Sequence, residues 1–239
     1  MTNNDFSRWE WVAHRGASSE APENTLAALC LAAQQGASWV ECDVQLTSNG
    51  EAVIIHDDSI ERVSGQVGKV ADMTTDTLCA LDVGSHFSEH FAGEGVPRLS
   101  EYLEEVKRLG VSLHLELKTS SRQAKQLIPV VLKEVARMWP EKPPIVYSSF
   151  CEDALVALRA VSDAPLALTS MVWSEAVLER ALELSACAVH LPLPECTPCV
   201  YDALHDAGLK LGGFTVRKLT HIAVHPPSSD YLFSDLPLW

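Results

Sequence analysis

Stretches with the character of strands and stretches with the character of helices alternate along nearly the whole chain, and few folds accept that order. Strand-like runs fall at Trp9–His14, Ser38–Val44, Val111–Leu117, Pro144–Ser149, Pro165–Ser170, Cys187–Leu193, Leu209–Val216 and Tyr231–Ser234. Helix-like runs separate most of them: Pro22–Gln35, Leu99–Leu109, Arg122–Met138, Glu152–Val161, Ser174–Leu184 and Pro198–Ala207. Gly36 and Gly110 stand where the first two of these helices should stop. Such alternation implies parallel strands joined by right-handed crossovers. Eight units in 239 residues have the size of a (β/α)8 barrel. The alternative, a doubly wound open sheet, usually carries a glycine-rich phosphate turn after its first strand, and His-Arg-Gly-Ala-Ser-Ser is not that fingerprint.

One segment departs from the alternation. In Trp39–Asp58, WVECDVQLTSNGEAVIIHDD, the Asn49-Gly50 pair is a strong signal for a tight hairpin turn. Read as a two-residue type I′ turn, it sets Leu46 opposite Val53 and Asp43 opposite His56. Residues two apart on a strand share a face, so Glu41 joins Asp43 and His56. The return arm Ala52–His56 is then an extension of the second strand and not one of the eight. Ser59–Pro97 follows as an irregular excursion with one or two helical turns, of a length usually kept for functional loops.

Composition narrows the setting. A net charge of −14 argues against nucleic-acid binding and against adhesion to an anionic membrane. No apolar run approaches the roughly 18 residues of a membrane span. The start, MTNNDFSRWEW, has no basic region followed by an apolar one, so no secretory leader is expected. The 7 cysteines are odd in number and scattered, as in a reducing cytoplasm. Cys196 and Cys199 form a lone C-x2-C that no second pair completes into a zinc site.

The chemistry-bearing residues sit at strand ends, where a barrel of this kind keeps its active site. These are His14 and Arg15, Glu41 and Asp43, Glu116 and Lys118, Ser148 and Ser149, His190 and Asp235. Three carboxylates in one mouth repel one another, and a hard divalent cation removes the conflict; an all-oxygen set suits Mg²⁺ or Ca²⁺. His14 and His56 suit an acid and a base near neutral pH. Arg15 and Lys118 suit a phosphate. Together these residues describe phosphodiester cleavage better than carbonyl chemistry.

HRG followed by APENT, then VECDVQLTSNG, VIIHDD, VPRLSEYL, LELK, SSF and a closing DLP resemble the glycerophosphodiester phosphodiesterases of the short cytoplasmic bacterial type. The resemblance runs from about Trp11 to Pro237. It implies a (β/α)8 barrel of the phospholipase-C-like kind, one domain over residues 1–239 with a small insertion at about 59–97. It implies Glu41, Asp43 and Glu116 as ligands of Mg²⁺ or Ca²⁺, His14 and His56 as the catalytic pair, and Arg15 and Lys118 at the phosphate. The implied reaction converts glycerophosphodiesters to sn-glycerol 3-phosphate and an alcohol in phospholipid and glycerol metabolism. Likeness to phospholipases C implies attack by the neighbouring glycerol hydroxyl through a cyclic phosphate. The implied enzyme is cytoplasmic, a monomer or homodimer, with a small-molecule partner and no stable membrane association.

The family often has W-T-V-N on its penultimate strand, and here the run is Phe214-Thr215-Val216-Arg217. Phe214 still supplies an apolar wall, whereas Arg217 adds a cation near the substrate. Lys218–Asp230 is short for a final helix, with Pro226-Pro227 to stop one early. Asn24-Thr25 reads as a helix-entry device. A non-enzymatic diester-binding barrel is the rival class, and the complete catalytic set speaks against it. An enzyme for lysophospholipids would favour an exposed apolar rim, and no obvious one is visible in so acidic a chain.

Overall fold

The computed structural model describes residues 9–139, 144–223 and 227–239. Its strands are β1 (Glu10–Ala13), β2 (Trp39–Leu46), β3 (Ala52–Ile54), β4 (Ser112–Leu117), β5 (Ile145–Ser149), β6 (Leu166–Thr169), β7 (Ala188–Pro192), β8 (Lys210–Val216) and β9 (Tyr231–Ser234). All but β3 are parallel, and pairing of β1 with both β9 and β2 closes them into an eight-stranded barrel. The helices are α1 (Leu26–Gln34), α2 (Glu61–Ser64), α3 (Thr75–Cys79), α4 (Leu99–Leu109), α5 (Ser121–Met138), α6 (Glu152–Arg159), α7 (Glu175–Glu183), α8 (Pro198–Asp206) and α9 (Thr220–Ala223). The alternation expected from the sequence is present. The final helix is the short α9, and Pro226 lies outside the described residues.

Strand periodicity divides the residues between two cores. On β2, Val40, Cys42 and Val44 face outward into the main core beneath the helices, while Glu41 and Asp43 face into the barrel. Helix α4 shows why the outer layer holds. Leu99, Tyr102, Leu103 and Val106 recur at helical spacing and are all buried. Each such side chain contributes roughly 1.5–3 kcal/mol. The Glu101 carboxylate accepts the Arg98 backbone N–H at 2.9 Å, and Gly110 ends the helix at φ 71°.

The barrel interior below the mouth is packed with rings. His114 lies against Trp39, His190, Tyr231 and Phe233, and the His190 ring also bonds the Tyr231 hydroxyl at 2.8 Å. Gly212 makes room for them. A Cβ there would stand 2.4 Å from the Tyr231 ring and 2.9 Å from that of His190.

The hairpin corrects the register read from Asn49-Gly50. Gln45 pairs with Val53 and Leu46 with Ala52, one residue out of step with a two-residue turn. The loop is Ser48-Asn49-Gly50, closed by Thr47 N–H to Glu51 O at 2.9 Å and Gly50 N–H to Thr47 O at 3.1 Å. Only Gly50 of the three has positive φ, 78°, which is a type I turn followed by a left-handed residue. Asn49 serves elsewhere: its side-chain oxygen accepts the Thr75 backbone N–H at 2.9 Å. Tertiary bonding of that amide to the excursion outweighs the local preference for a type I′ turn.

The excursion is better ordered than its composition implies. It holds α2, α3 and two 3₁₀ turns, Val70–Asp72 and Glu89–Phe91. Val53 and Ile55 pack with Ile60, Val70, Leu78, Leu81, Val83 and Val96 in a core of their own. Its apolar residues are too sparse for a helical period because they meet the far face of the hairpin.

Candidate active site

The strand pairing assembles the site. Parallel register places Glu41 beside His114 and Asp43 beside Glu116, and Glu116 beside Ser148. One oxygen from each of Glu41, Asp43 and Glu116 lies within 4.8 Å of the others. His14 follows β1, whose Ala13 pairs with Val40, so its imidazole comes within 3.9 Å of Glu41. Arg15 comes next in a left-handed conformation, φ 59°, which aims its backbone N–H at Glu41 Oε2, 2.9 Å away. Such a φ is costly for a long side chain. The following Gly16 is obligatory, because a Cβ there would meet the backbone of Ala28 at 2.6 Å.

The acidic cluster is electrostatically unsatisfied. Glu41 is buried, and its Oε1 has no hydrogen-bond partner. Burial, reinforced by Asp43 and Glu116, pushes its carboxyl well above the ordinary range. Burial and Asp43 likewise push Glu116 up to about 7, although Lys118 Nζ lies 3.0 Å away. Three converging carboxylates with an orphaned buried oxygen fit a hard divalent cation. The donor set contains neither thiolate nor imidazole, which sets it apart from a zinc site.

Each imidazole is held by a carboxylate at Nδ1. His14 donates to Asp235 at 2.6 Å, and His56 donates to Asp57 at 2.5 Å. This leaves both Nε2 atoms for the mouth. His56 does not arrive there by facing Asp43 across the hairpin. Asp43 O accepts the Ile55 N–H instead, and β3 has already ended. The Gln45 amide fixes the strand's continuation by donating to the carbonyls of Ile55, His56 and Asp57 at 2.9–3.1 Å. Lys118 then donates to His56 Nε2 at 3.1 Å. Burial lowers the His56 pKa, aided by Arg15 and Lys118 and opposed by Asp43.

The cations are anchored rather than free. Arg15 bonds Glu23 at 2.8 Å and lies 3.3 Å from Asp43. Burial opposes its charge, but Asp43, Glu23 and Glu41 outweigh that and raise its pKa. Glu23 also holds Arg62 through two bonds of 2.6 and 2.8 Å, and Arg62 holds Asp57 at 2.6 Å. A chain of charge-assisted bonds thus runs from Arg15 through Glu23, Arg62 and Asp57 to His56.

His14, Arg15, Glu41, His56, Glu116 and Phe214 line one cavity of about 210 Å³, walled by Phe150 and floored by His190. Lys118 lines a neighbouring groove that shares His56 and Glu116 with it. All eight expected site residues therefore meet at one mouth. Arg217 is exposed and stands 3.3 Å from Asp235, which places its charge at the rim.

Several residues take roles that the sequence assigned differently or not at all. Asn24 bonds Asp43 directly and is part of the site, while Thr25 alone caps α1. Asp57, Glu23 and Arg62 orient the residues above. The first two lie in the HDD and APENT runs, the available signal. Phe87, Phe150, Met171 and Val172 are exposed apolar side chains in loops that follow strands.

Comparison with known proteins follows the same lines. The pattern of the Glycerophosphoryl diester phosphodiesterase family matches residues 14–235. The Glycerophosphodiester phosphodiesterase of Caldanaerobacter subterraneus subsp. tengcongensis is 30% identical over 213 residues, covering 87% of this chain and 85% of that protein. An Oleispira antarctica phosphodiesterase, solved in complex with the product sn-glycerol-3-phosphate, superposes with a TM-score of 0.90 at 32% identity, covering 95% of this chain and 93% of its own. A glycerophosphodiester phosphodiesterase from Agrobacterium tumefaciens superposes with a TM-score of 0.78 at 27% identity, covering 96% and 97%.

Proposed function

The chain belongs to the glycerophosphoryl diester phosphodiesterase family and has its diester-hydrolysing activity; we propose that it releases sn-glycerol 3-phosphate and an alcohol, with His14 and His56 as proton carriers and a divalent cation at Glu41, Asp43 and Glu116. The observation that carries this reading is the convergence of three carboxylate oxygens within 4.8 Å beside a cavity lined by both imidazoles.

Arg15 and Lys118 bind the phosphate, Arg15 from a pre-set position because Glu23 already holds one end of its fork. Phe214 lies against the glycerol carbons. One imidazole accepts the proton of the attacking glycerol hydroxyl, and the other gives a proton to the departing alcohol. The cyclic phosphodiester so formed is opened by water with the proton roles reversed. Asp57 and Asp235 keep each ring in the tautomer that presents Nε2 and stabilise its charged form. Held by Glu41, Asp43 and Glu116, a Mg²⁺ or Ca²⁺ ion would, when bound, supply Lewis-acid stabilisation of charge on the phosphoryl oxygens.

The same reading takes residues 1–239 as one domain with its insertion at 59–97, acting in the cytoplasm as a monomer or homodimer on phospholipid-derived diesters. No helix among the described residues is long and apolar enough to cross a membrane. The test is release of glycerol 3-phosphate from glycerophosphocholine, glycerophosphoethanolamine and glycerophosphoglycerol, with EDTA and with metal restored. Metal-dependent release supports the reading, and no release with any divalent metal overturns it.

A further inference from the structure

A second cavity, of about 290 Å³, lies between the barrel and the insertion. It adjoins the space that holds His14, Arg15 and Asp235, because Ser18, Glu23, His56 and Arg62 line both. Beyond them its wall is mostly apolar, Ile54, Ile55, Val63, Val83, Val96 and Phe87, with Asn24 and His86 as its polar members. The two charged side chains on the shared edge, Glu23 and Arg62, are bonded to each other and offer no unpaired charge to a ligand. The cavity meets the mouth at the His56 ring, whose Nε2 is bonded by Lys118. A group attached to a phosphate held by Arg15, which lines the adjoining space, would enter this cavity past His56. The groove beside Lys118 sets Asp57, Asp58, Thr119 and Gln123 among Leu46, Leu117 and Phe150, so its polar side suits a polar or cationic group.

We propose that this cavity is the subsite for the leaving alcohol, and that it selects glycerophosphodiesters whose alcohol carries an uncharged apolar body. Its volume holds roughly a six-carbon chain or one aromatic ring. A longer chain would run out past Phe87, which is 43% exposed at the open side. The insertion therefore acts in specificity as well as in packing, since Val63, Val83, Phe87 and Val96 all come from it. This rests on the diesterase reading above, and the substrates are chosen to separate the two.

The experiment compares kcat/KM for glycerol 3-phosphate release from three synthetic diesters of sn-glycerol 3-phosphate, made with methanol, 1-hexanol and ethanolamine. Burial of the added methylenes should favour the hexyl over the methyl diester about tenfold or more. Val63→Phe, which fills the cavity from the surface helix α2, should bring that ratio close to one. Phe87→Ala, at a half-exposed position, should lower it severalfold without a core residue being touched. Equal rates for hexyl and methyl diesters in the wild type would overturn the subsite. So would a preference for ethanolamine that Val63→Phe leaves unchanged, which would assign the alcohol to the groove beside Asp58. Release from none of the three with any divalent metal would overturn the diesterase reading itself and the subsite with it.

Discussion

Asn24 and Asp43 bond each other twice: the Asn24 amide donates to Asp43 Oδ2 at 2.8 Å, and Asn24 Oδ1 accepts the Asp43 backbone N–H at 3.1 Å. Asn24 is itself held in a left-handed conformation, φ 58°, by donating its N–H to the Arg15 carbonyl at 3.0 Å. The pair locks the orientation of a carboxylate in the acidic cluster. Partners that orient ligands are typically worth 10–100-fold in metal affinity. Asn24→Ala should therefore raise the concentration of Mg²⁺ or Ca²⁺ needed for half-maximal activity by about that factor. Calorimetric titration of the metal provides the check, and an unchanged affinity would show that Asp43 needs no such support.

The two imidazole–carboxylate pairs make a parallel prediction. Asp57→Asn and Asp235→Asn preserve shape but remove the charge that fixes the tautomer. Each should lower kcat by roughly 10²–10⁴-fold with little change in KM. A loss confined to KM would make these aspartates binding residues. Steady-state kinetics on glycerophosphocholine distinguish the cases.

Gln45 holds three consecutive carbonyls of the segment that carries His56. Gln45→Leu should free that segment and cost at least about tenfold in turnover, because a misplacement of about 1 Å is already expensive. The closed barrel does not contain Ile55–Asp57, so its melting temperature should move by only a few degrees. Full turnover in Gln45→Leu would mean that the Asp57–Arg62 bond suffices to hold the imidazole.

Acid stability follows from the histidines inside the barrel. Burial, helped by Lys210, lowers the His114 pKa to about 3, and burial lowers that of His190 as well. An unfolded histidine titrates near 6.5. Below that pH the unfolded chain binds a proton that the folded chain does not, so stability falls as pH drops from about 6.5 toward 3. For His114 alone the loss is on the order of 4 kcal/mol across that window. Its Nδ1 has no partner, so His114→Phe breaks no bond at that atom. Urea unfolding at pH 7, 5 and 4 should show the variant losing less stability on acidification than the wild type. Parallel losses in the two proteins would place the acid sensitivity elsewhere.

Local order in the chain determined a great deal here. Composition, amphipathic spacing and glycine stops marked the alternating elements, with Leu99–Leu109 and Tyr231–Ser234 ending where the sequence says they should. Spacing of two on a strand put Glu41 with Asp43, and ordinary barrel geometry brought Glu116, His14 and Arg15 to the same end. These are properties of neighbours along a chain, and neighbours are what a sequence displays. Tertiary structure decided the rest. Asp235 reaches His14 across 221 residues and Asn24 reaches Asp43 across 19, so neither contact leaves a periodic trace. The hairpin shows the same limit at short range. Asn49-Gly50 is a type I′ signal in isolation, yet the Asn49 side chain bonds Thr75 of the insertion, and that contact selects a three-residue loop and a register shifted by one. A local preference of a fraction of a kcal/mol yields to a hydrogen bond worth about 1 kcal/mol, and only the folded chain brings that bond within reach.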